Sequence, residues 1–248
     1  MKISISAACM IGCIRHNNED MALVGDRLIR DEACHTAFNT ETTDRFLMAV
    51  ADGMGGHASG EVASSDVLSN LQFFFSDIPA SLSVGDFNEA IFEWLSSINA
   101  LLESKSRAAS AFMDMGTTLV GMAYYNKRFF TMNCGDSRLY RYSDRQLVQL
   151  TTDHSLNQLM GRKEHSNIIV NCIGGGCKNS YIDLEECTHN VCSGDRFLIC
   201  SDGLTDMIDD EKIAALMADG ADAQRLCAAA EEAGGADNVT AIVLDVND

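Results

Sequence analysis

The chain has 248 residues, is 46% hydrophobic and carries a formal net charge of −18. That is enough apolar material for one sizeable core, or for two small ones. So acidic a surface repels nucleic-acid phosphates and anionic lipid, which argues against both as partners.

Residues 3–14 are small and apolar and read as a first strand. With one lysine, no adequate apolar run and no Ala-x-Ala site, they do not read as a secretory leader, and nothing further along reaches membrane-spanning length. The expected location is the cytoplasm. Residues 21–24 and 45–51 are further strands, the second a buried run. Residues 59–75 and 86–107 read as helices. Val62, Ala63, Val67, Leu68 and Leu71 fall on one face of the first, and Phe87, Ile91, Trp94, Leu95, Ile98 and Leu102 on one stripe of the second.

The pattern then turns to short β-rich runs at 117–125, 128–134, 138–142 and 146–149, with turn residues such as Asn126-Lys127 between them. Residues 182–189 and 196–200 continue it. Helices are expected over 209–218 and 222–233, closed by Gly220 and by Gly234-Gly235. Residues 239–246 are a last strand. Helix pairs placed early and late around a mainly antiparallel strand system predict an α+β layered sandwich. No linker or repeat divides the chain.

Ten cysteines are spread along the chain, with no Cys-x-x-Cys. Cys172-x4-Cys177 and Cys187-x4-Cys192 could be argued as a zinc site, but the spacing is wider than in zinc knuckles. Small apolar side chains in a reduced protein explain them better.

Acidic residues recur where strands should begin or end: Glu19-Asp20, Asp52-Gly53, Asp202-Gly203 and Asp237-Asn238. Each alone fits a turn, since Asp-Gly is a common turn pair. Four of them, each abutting a buried strand, call for a reason to share their charge, and hard divalent cations prefer oxygen ligands. Carboxylates of this kind can bridge two cations about 3.5–4 Å apart that lower the pKa of a shared water. Arg15, four residues before Glu19, is placed to grip two oxygens of a phosphate. Its ordinary alternative is a surface ion pair. Gly53-Met-Gly55-Gly56-His-Ala58 formally matches a dinucleotide-binding turn. That would set Asp52 against a pyrophosphate without a counter-ion, and no βαβ repeat follows. No Walker A sequence occurs.

The motifs RHNNED (15–20), VADGMGGHASGE (50–61), MGTTLVGM (115–122), NCGDSRLYR (133–141), LTTDHS (150–155), SDGLTDM (201–207) and GGADNVTAIV (234–243) occur in this order. With them the chain resembles the metal-dependent serine/threonine phosphatases of the protein phosphatase 2C type, in particular the compact bacterial members. The resemblance implies a four-layer α-β-β-α sandwich, two antiparallel sheets flanked by helix pairs, forming one catalytic domain over residues 1–248. It implies two Mn2+ or Mg2+ ions at one end of the sandwich. Asp52 resembles the carboxylate bridging both ions, and Gly53 the carbonyl ligand of one. Asp202 and Asp237 resemble ligands of the other, and Glu19 and Asp20 acids that hold a metal or its waters. Arg15 resembles the phosphate-binding arginine. Asp136 resembles the residue that helps hold a weaker third metal, with a turn aspartate as its plain alternative.

The implied reaction is in-line attack of an activated water on phosphoserine or phosphothreonine in proteins, with no cysteine nucleophile. Expected partners are phosphorylated proteins and an opposing serine/threonine kinase, with the chain acting as a monomer. The alternative is an inactive phosphatase-like binding module, which would be expected to have lost a metal carboxylate. Two departures stand out. Met54 replaces the histidine that follows Asp-Gly in animal members, and nearby His57 reads as structural. The segment 155–173, including Gly161-Arg162-Lys163-Glu164-His165, is shorter than the usual flap, which predicts a more open site with different substrate docking.

Overall fold

The chain opens with five strands: β1 (Lys2–Met10), β2 (Asp20–Val24), β3 (Arg27–Ile29), β4 (Glu32–Asn39) and β5 (Arg45–Met54). Two long helices follow, α1 (Ser59–Asp77) and α2 (Val84–Ala108). Next come β6 (Gly116–Thr117), β7 (Leu119–Tyr125), β8 (Arg128–Cys134), β9 (Arg138–Ser143) and β10 (Gln146–Gln149). A one-turn helix α3 (Leu156–Leu159), β11 (Ile173–Gly174), β12 (Asp183–Glu186) and β13 (Arg196–Cys200) lead to α4 (Asp202–Thr205), α5 (Asp210–Ala218), α6 (Ala223–Glu232) and β14 (Val239–Asn247). The computed structural model describes residues 1–55, 59–162 and 168–248.

The strands form two antiparallel sheets. One runs β10-β9-β13-β14-β1-β4. In the other, β5 lies between β7 and β2, β8 and β12 extend it beyond β7, and β3 extends it beyond β2. The last residues of β5 leave β7 and pair with β6, which carries β11.

Period-two alternation decides the layers, because successive side chains of a strand point to opposite faces. In β5, Leu47, Ala49 and Ala51 pack under α1 and α2, while Met48 and Val50 face the other sheet. In β13, Phe197 and Ile199 face that same inter-sheet core, and Leu198 and Cys200 face α5 and α6. Three apolar cores separate four layers, helices–sheet–sheet–helices. This is the expected α-β-β-α sandwich. Full burial of a side chain such as Phe197 stabilises by about 1.5–3 kcal/mol, and truncating it to alanine would cost about 3–5 kcal/mol.

Helix starts are chemically marked. Ser83, Asp209 and Asp222 each accept a backbone N–H of the first turn of α2, α5 and α6, a cap worth about 1 kcal/mol. Asn126-Lys127 and Asp144-Arg145 take positive φ in the two-residue turns β7–β8 and β9–β10, the conformation such hairpins require.

Several boundaries differ from the sequence expectation. The first strand stops at Met10 rather than 14, because Gly12 turns the chain at positive φ. The strand expected over 182–189 is four residues, followed by a 3-10 turn at Thr188–Asn190. Strand β5 does not end at Asp52 but runs two residues further, along β6. Strands β3, β4 and β11 and the short helices α3 and α4 were not anticipated. Around the expected flap, α3 and an isolated bridge between Ser155 and Ile169 are present. Gly56, His57, Lys163, Glu164 and His165 lie outside the described residues.

Candidate metal and phosphate site

At one end of the sandwich the two sheets bring remote acids together. Strands β2 and β5 pair so that Asp20 stands directly opposite Asp52. Asp52 sits where β5 changes partner from β7 to β6. Thr117 and Thr118 hold it there. Thr118 Oγ1 accepts the Asp52 N–H at 3.0 Å, and the Asp52 carbonyl accepts from the Thr118 N–H at 2.9 Å and from Thr117 Oγ1 at 2.8 Å. The break in the ladder turns the Asp52 backbone bonds over to these threonines.

The other sheet contributes the loops after β13 and before β14. Ser201 Oγ donates to Asp20 Oδ2 at 2.7 Å and accepts the Thr240 N–H at 3.0 Å. Asp202 follows at the first turn of α4. Asn238 ties the segment 11–19 to the same end: its Nδ2 donates to the carbonyls of Ile11 and Asn17, and its Oδ1 accepts the Glu19 N–H at 2.9 Å. Arg30 braces Glu19 and Asp20 from behind. It donates to the Asp20 carbonyl and to Ser64 Oγ, which in turn donates to the Glu19 carbonyl at 2.6 Å.

The two Asp-Gly glycines are there for contact rather than for a turn. A Cβ on Gly53 would lie 2.1 Å from the Gly60 carbonyl oxygen, and one on Gly203 would lie 1.9 Å from that of Asn238. Only a residue without a side chain lets these backbones approach.

The electrostatics show that the acids share one environment. Burial, together with repulsion from Asp202 and Asp237, raises the Asp20 carboxyl to about 7, although Ser201 opposes the shift. Burial first, then Asp20, Asp202 and Asp136, push Asp52 well above the ordinary range. Asp202 acts on Asp52 both through its charge and through a side-chain interaction, and both favour the protonated form of Asp52. Glu19 is raised as well, chiefly by burial. Asp136, after β8, is raised to about 7 by burial and by Asp202. It is 1% exposed, and neither carboxylate oxygen has a hydrogen-bond partner. Such a buried orphan is what a cation ligand presents when only protein atoms surround it.

Arg15 lies at the rim, half exposed, with Nη2 donating to Asp237 Oδ2 at 2.5 Å. Asp237 Oδ1 accepts the Asn238 N–H at 2.8 Å. The structure thus gathers Glu19, Asp20, Asp52, Asp136, Asp202 and Asp237 through direct bonds or mutual repulsion, with Arg15 beside them. Gly53 joins them through its N–H, which donates to the Glu19 carbonyl at 3.2 Å. Among the described residues, no three His, Cys, Asp or Glu side chains already stand at the geometry of a metal cage. The chemistry of the set, oxygen donors with excess negative charge and an orphaned buried carboxylate, fits hard divalent cations.

Sequence reasoning did not single out Thr117, Thr118, Ser201 or Arg30, and named Asn238 only as the neighbour of Asp237. All except Arg30 lie inside the quoted motifs, where short polar side chains look like turn formers. The ten cysteines are free thiols. Burial pushes Cys9, Cys172, Cys187 and Cys200 up to about 12, which leaves them poor nucleophiles. No helix among the described residues is long and apolar enough to cross a membrane.

Comparison with known proteins agrees with this architecture. The family description "Protein phosphatase 2C" matches residues 25–237. The serine/threonine protein phosphatase PstP of Mycobacterium tuberculosis is 34% identical over 96% of this chain. That alignment covers 44% of PstP, so the chain spans less than half of that relative's length. A serine/threonine phosphatase structure from S. agalactiae superimposes with a TM-score of 0.82 at 25% identity, covering 99% of this chain and 100% of the other. The PstP catalytic domain in complex with two manganese ions superimposes at 0.73 with 32% identity over the full length of both chains.

Proposed function

The chain belongs to the protein phosphatase 2C family, and from that premise we propose that it hydrolyses phosphoserine and phosphothreonine monoesters in proteins. The observation that carries the reading is the convergence of Asp20, Asp52, Asp136 and Asp202 into one cluster, in which burial and the neighbouring acids raise the proton affinity of Asp20, Asp52 and Asp136. That charge has a use if divalent cations complete the site.

Two Mn2+ or Mg2+ ions, when bound, supply an activated water and positive charge for the phosphoryl oxygens. Asp52 would hold both ions, and the Gly53 carbonyl would serve one of them. Asp202 and Asp237 would hold the other. Glu19 and Asp20 would hold a metal or its waters, and Asp136 would hold a weaker third ion. Arg15, exposed at the rim, grips the phosphoryl oxygens in fork geometry. The thiols take no part, and Met54 leaves no acid directly after Asp52-Gly53, so the leaving group draws its proton from water.

Residues 1–248 act as one catalytic domain, with a segment around 155–173 that is shorter in sequence than the usual flap and would dock substrate differently. The substrates are proteins phosphorylated by a serine/threonine kinase, the setting is the cytoplasm, and the chain acts as a monomer. Every proposed metal carboxylate is present, which argues against an inactive binding module. The test is Mn2+-dependent release of phosphate from a phosphothreonine peptide, lost in Asp52→Ala. Turnover that persists in EDTA, or in that variant, would defeat the reading.

A further inference from the structure

The residue before the orphaned Asp136 is held by a buried histidine that the reaction does not use. His154 belongs to the LTTDHS motif, and its side chain is 4% exposed. Its backbone N–H donates to the Gly135 carbonyl at 2.9 Å, and its Nδ1 accepts the Gly135 N–H at 3.1 Å. One residue therefore clamps both polar groups of the glycine that precedes Asp136. On the far side, Nε2 lies 3.0 Å from Asp183 Oδ2 on β12.

The neighbours settle which nitrogen carries the proton. Asn171 Oδ1 accepts the Tyr181 N–H at 3.1 Å, and its Nδ2 donates to the Tyr181 carbonyl at 2.8 Å. The orientation of that amide is thereby fixed, and its Nδ2 also lies 2.8 Å from His154 Nδ1. Nδ1 is thus met by two N–H donors and must be a bare acceptor. The proton sits on Nε2, directed at the Asp183 carboxylate. The Tyr181 ring packs against the imidazole at 4.7 Å and completes the enclosure.

What the clamp holds reaches the acid cluster. Gly135 has φ +124°, and a Cβ there would lie 2.6 Å from Thr118 Cβ. Thr118 is the residue that carries the Asp52 backbone, and its Oγ1 pairs with Ser137 Oγ at 2.8 Å. The turn 135–137 is thus pressed between His154 and the support of Asp52.

We propose that His154, as its Nε2–H tautomer oriented by Asp183, is a positioning residue that sets the Gly135 backbone and so aims the Asp136 carboxylate into the cation site. This rests on the reading of Asp136 as a cation ligand. Groups of this kind behind a ligand change metal affinity about 10–100-fold when altered.

Two substitutions separate the role from simple filling of space. In His154→Asn, the side-chain oxygen falls near the place of Nδ1 and can still accept the Gly135 N–H. In His154→Gln, the amide falls near Nε2, and the acceptor for Gly135 is lost. The readouts are amide hydrogen exchange at Gly135 and calorimetric titration with Mn2+ alone. The Mn2+ binding event that Asp136→Asn abolishes should weaken about tenfold or more in H154Q, with loss of Gly135 protection. H154N should keep both within about threefold. Equal behaviour of H154N and H154Q, or a wild-type isotherm that Asp136→Asn leaves unchanged, would overturn the proposal.

Should H154Q fail to fold, Asp183→Ala keeps the question open, because that side chain is 52% exposed. The acceptor of the Nε2–H is then gone altogether; without the contact that orients the ring, Gly135 should lose protection, and unchanged exchange there would count against the role. A wild-type protein that binds Mn2+ but releases no phosphate would sink the proposed function alone, since exchange and metal binding still decide the role of His154.

Discussion

Asp20 and Asp52 are directly opposed partners in the antiparallel ladder of β2 and β5. Like charges in that relation are destabilising, and both carboxyls are held far from their ordinary proton affinity. The fold tolerates at this rung an arrangement that local sheet energetics disfavour. A site built to receive cations explains why it is kept.

The first prediction concerns pH. Asp20 and Asp136 ordinarily titrate near 3.8 and are raised to about 7 in the folded chain. Between those values the native state holds protons that the unfolded chain has released. Stability is then greatest below the unfolded value and falls as pH rises through the folded one. In EDTA, melting temperature should climb by at least about 3 °C from pH 8 to pH 6. Asp136→Asn should flatten the climb, which separates it from the general relief of net charge. With saturating Mn2+ the trend should reverse, because cations bind the deprotonated acids. A metal-free protein that melts at the same temperature across this range would contradict the account.

Asp52→Asn separates stability from function. Removing a crowded, buried acid should raise the melting temperature in EDTA at alkaline pH, where Asp52 would otherwise have to ionise against its neighbours. The same change should reduce phosphopeptide turnover by about a hundredfold or more and shrink the Mn2+-induced rise in melting temperature. Thermal melts with and without metal check both halves. A variant less stable than wild type in EDTA at alkaline pH would count against the crowding argument.

Two glycines offer a packing test. Gly203→Ala forces a methyl group onto the Asn238 carbonyl, backbone against backbone. We expect a loss of about 3 kcal/mol or more and displacement of Asp202 and Asp237. Gly176→Ala meets nothing within 4 Å, but its φ of +75° is strained for alanine, so a loss of about 1 kcal/mol is expected. Denaturant titration should rank them in that order.

Arg15→Ala should leave folding nearly untouched, because an exposed ion pair contributes at most about 1 kcal/mol. Its effect belongs to substrate: KM for a phosphothreonine peptide should rise about tenfold, with Mn2+ affinity changed far less. Steady-state kinetics at saturating metal would show it. A collapse of metal binding instead would assign Arg15 to the cation site rather than to phosphate.

The layering was legible because alternation and 3.6-residue spacing report burial directly. Asp52 and Asp202 were legible because each ends an apolar run in Asp-Gly. Pairing was not legible: β1 joins β14 from opposite ends of the chain, and periodicity says that a strand forms, not which strand it meets. Strand β4 escaped notice because its buried residues, Cys34 and Phe38, are four apart, with mostly exposed positions around them. The same limit hid the supports of the site. Thr118, Asn238 and His154 act through bonds to distant backbone, and nothing in their neighbours distinguishes that from an ordinary turn or core residue.

The central claim is that folding gathers these acids into a single pocket for divalent cations. Anomalous diffraction at the manganese edge, from crystals grown with Mn2+, tests it most directly. The account predicts two peaks about 3.5–4 Å apart, with Asp52 between them, the Gly53 carbonyl on one and Asp202 and Asp237 on the other. Manganese found elsewhere, or a single ion that leaves Asp52 protonated against Asp202, would contradict it.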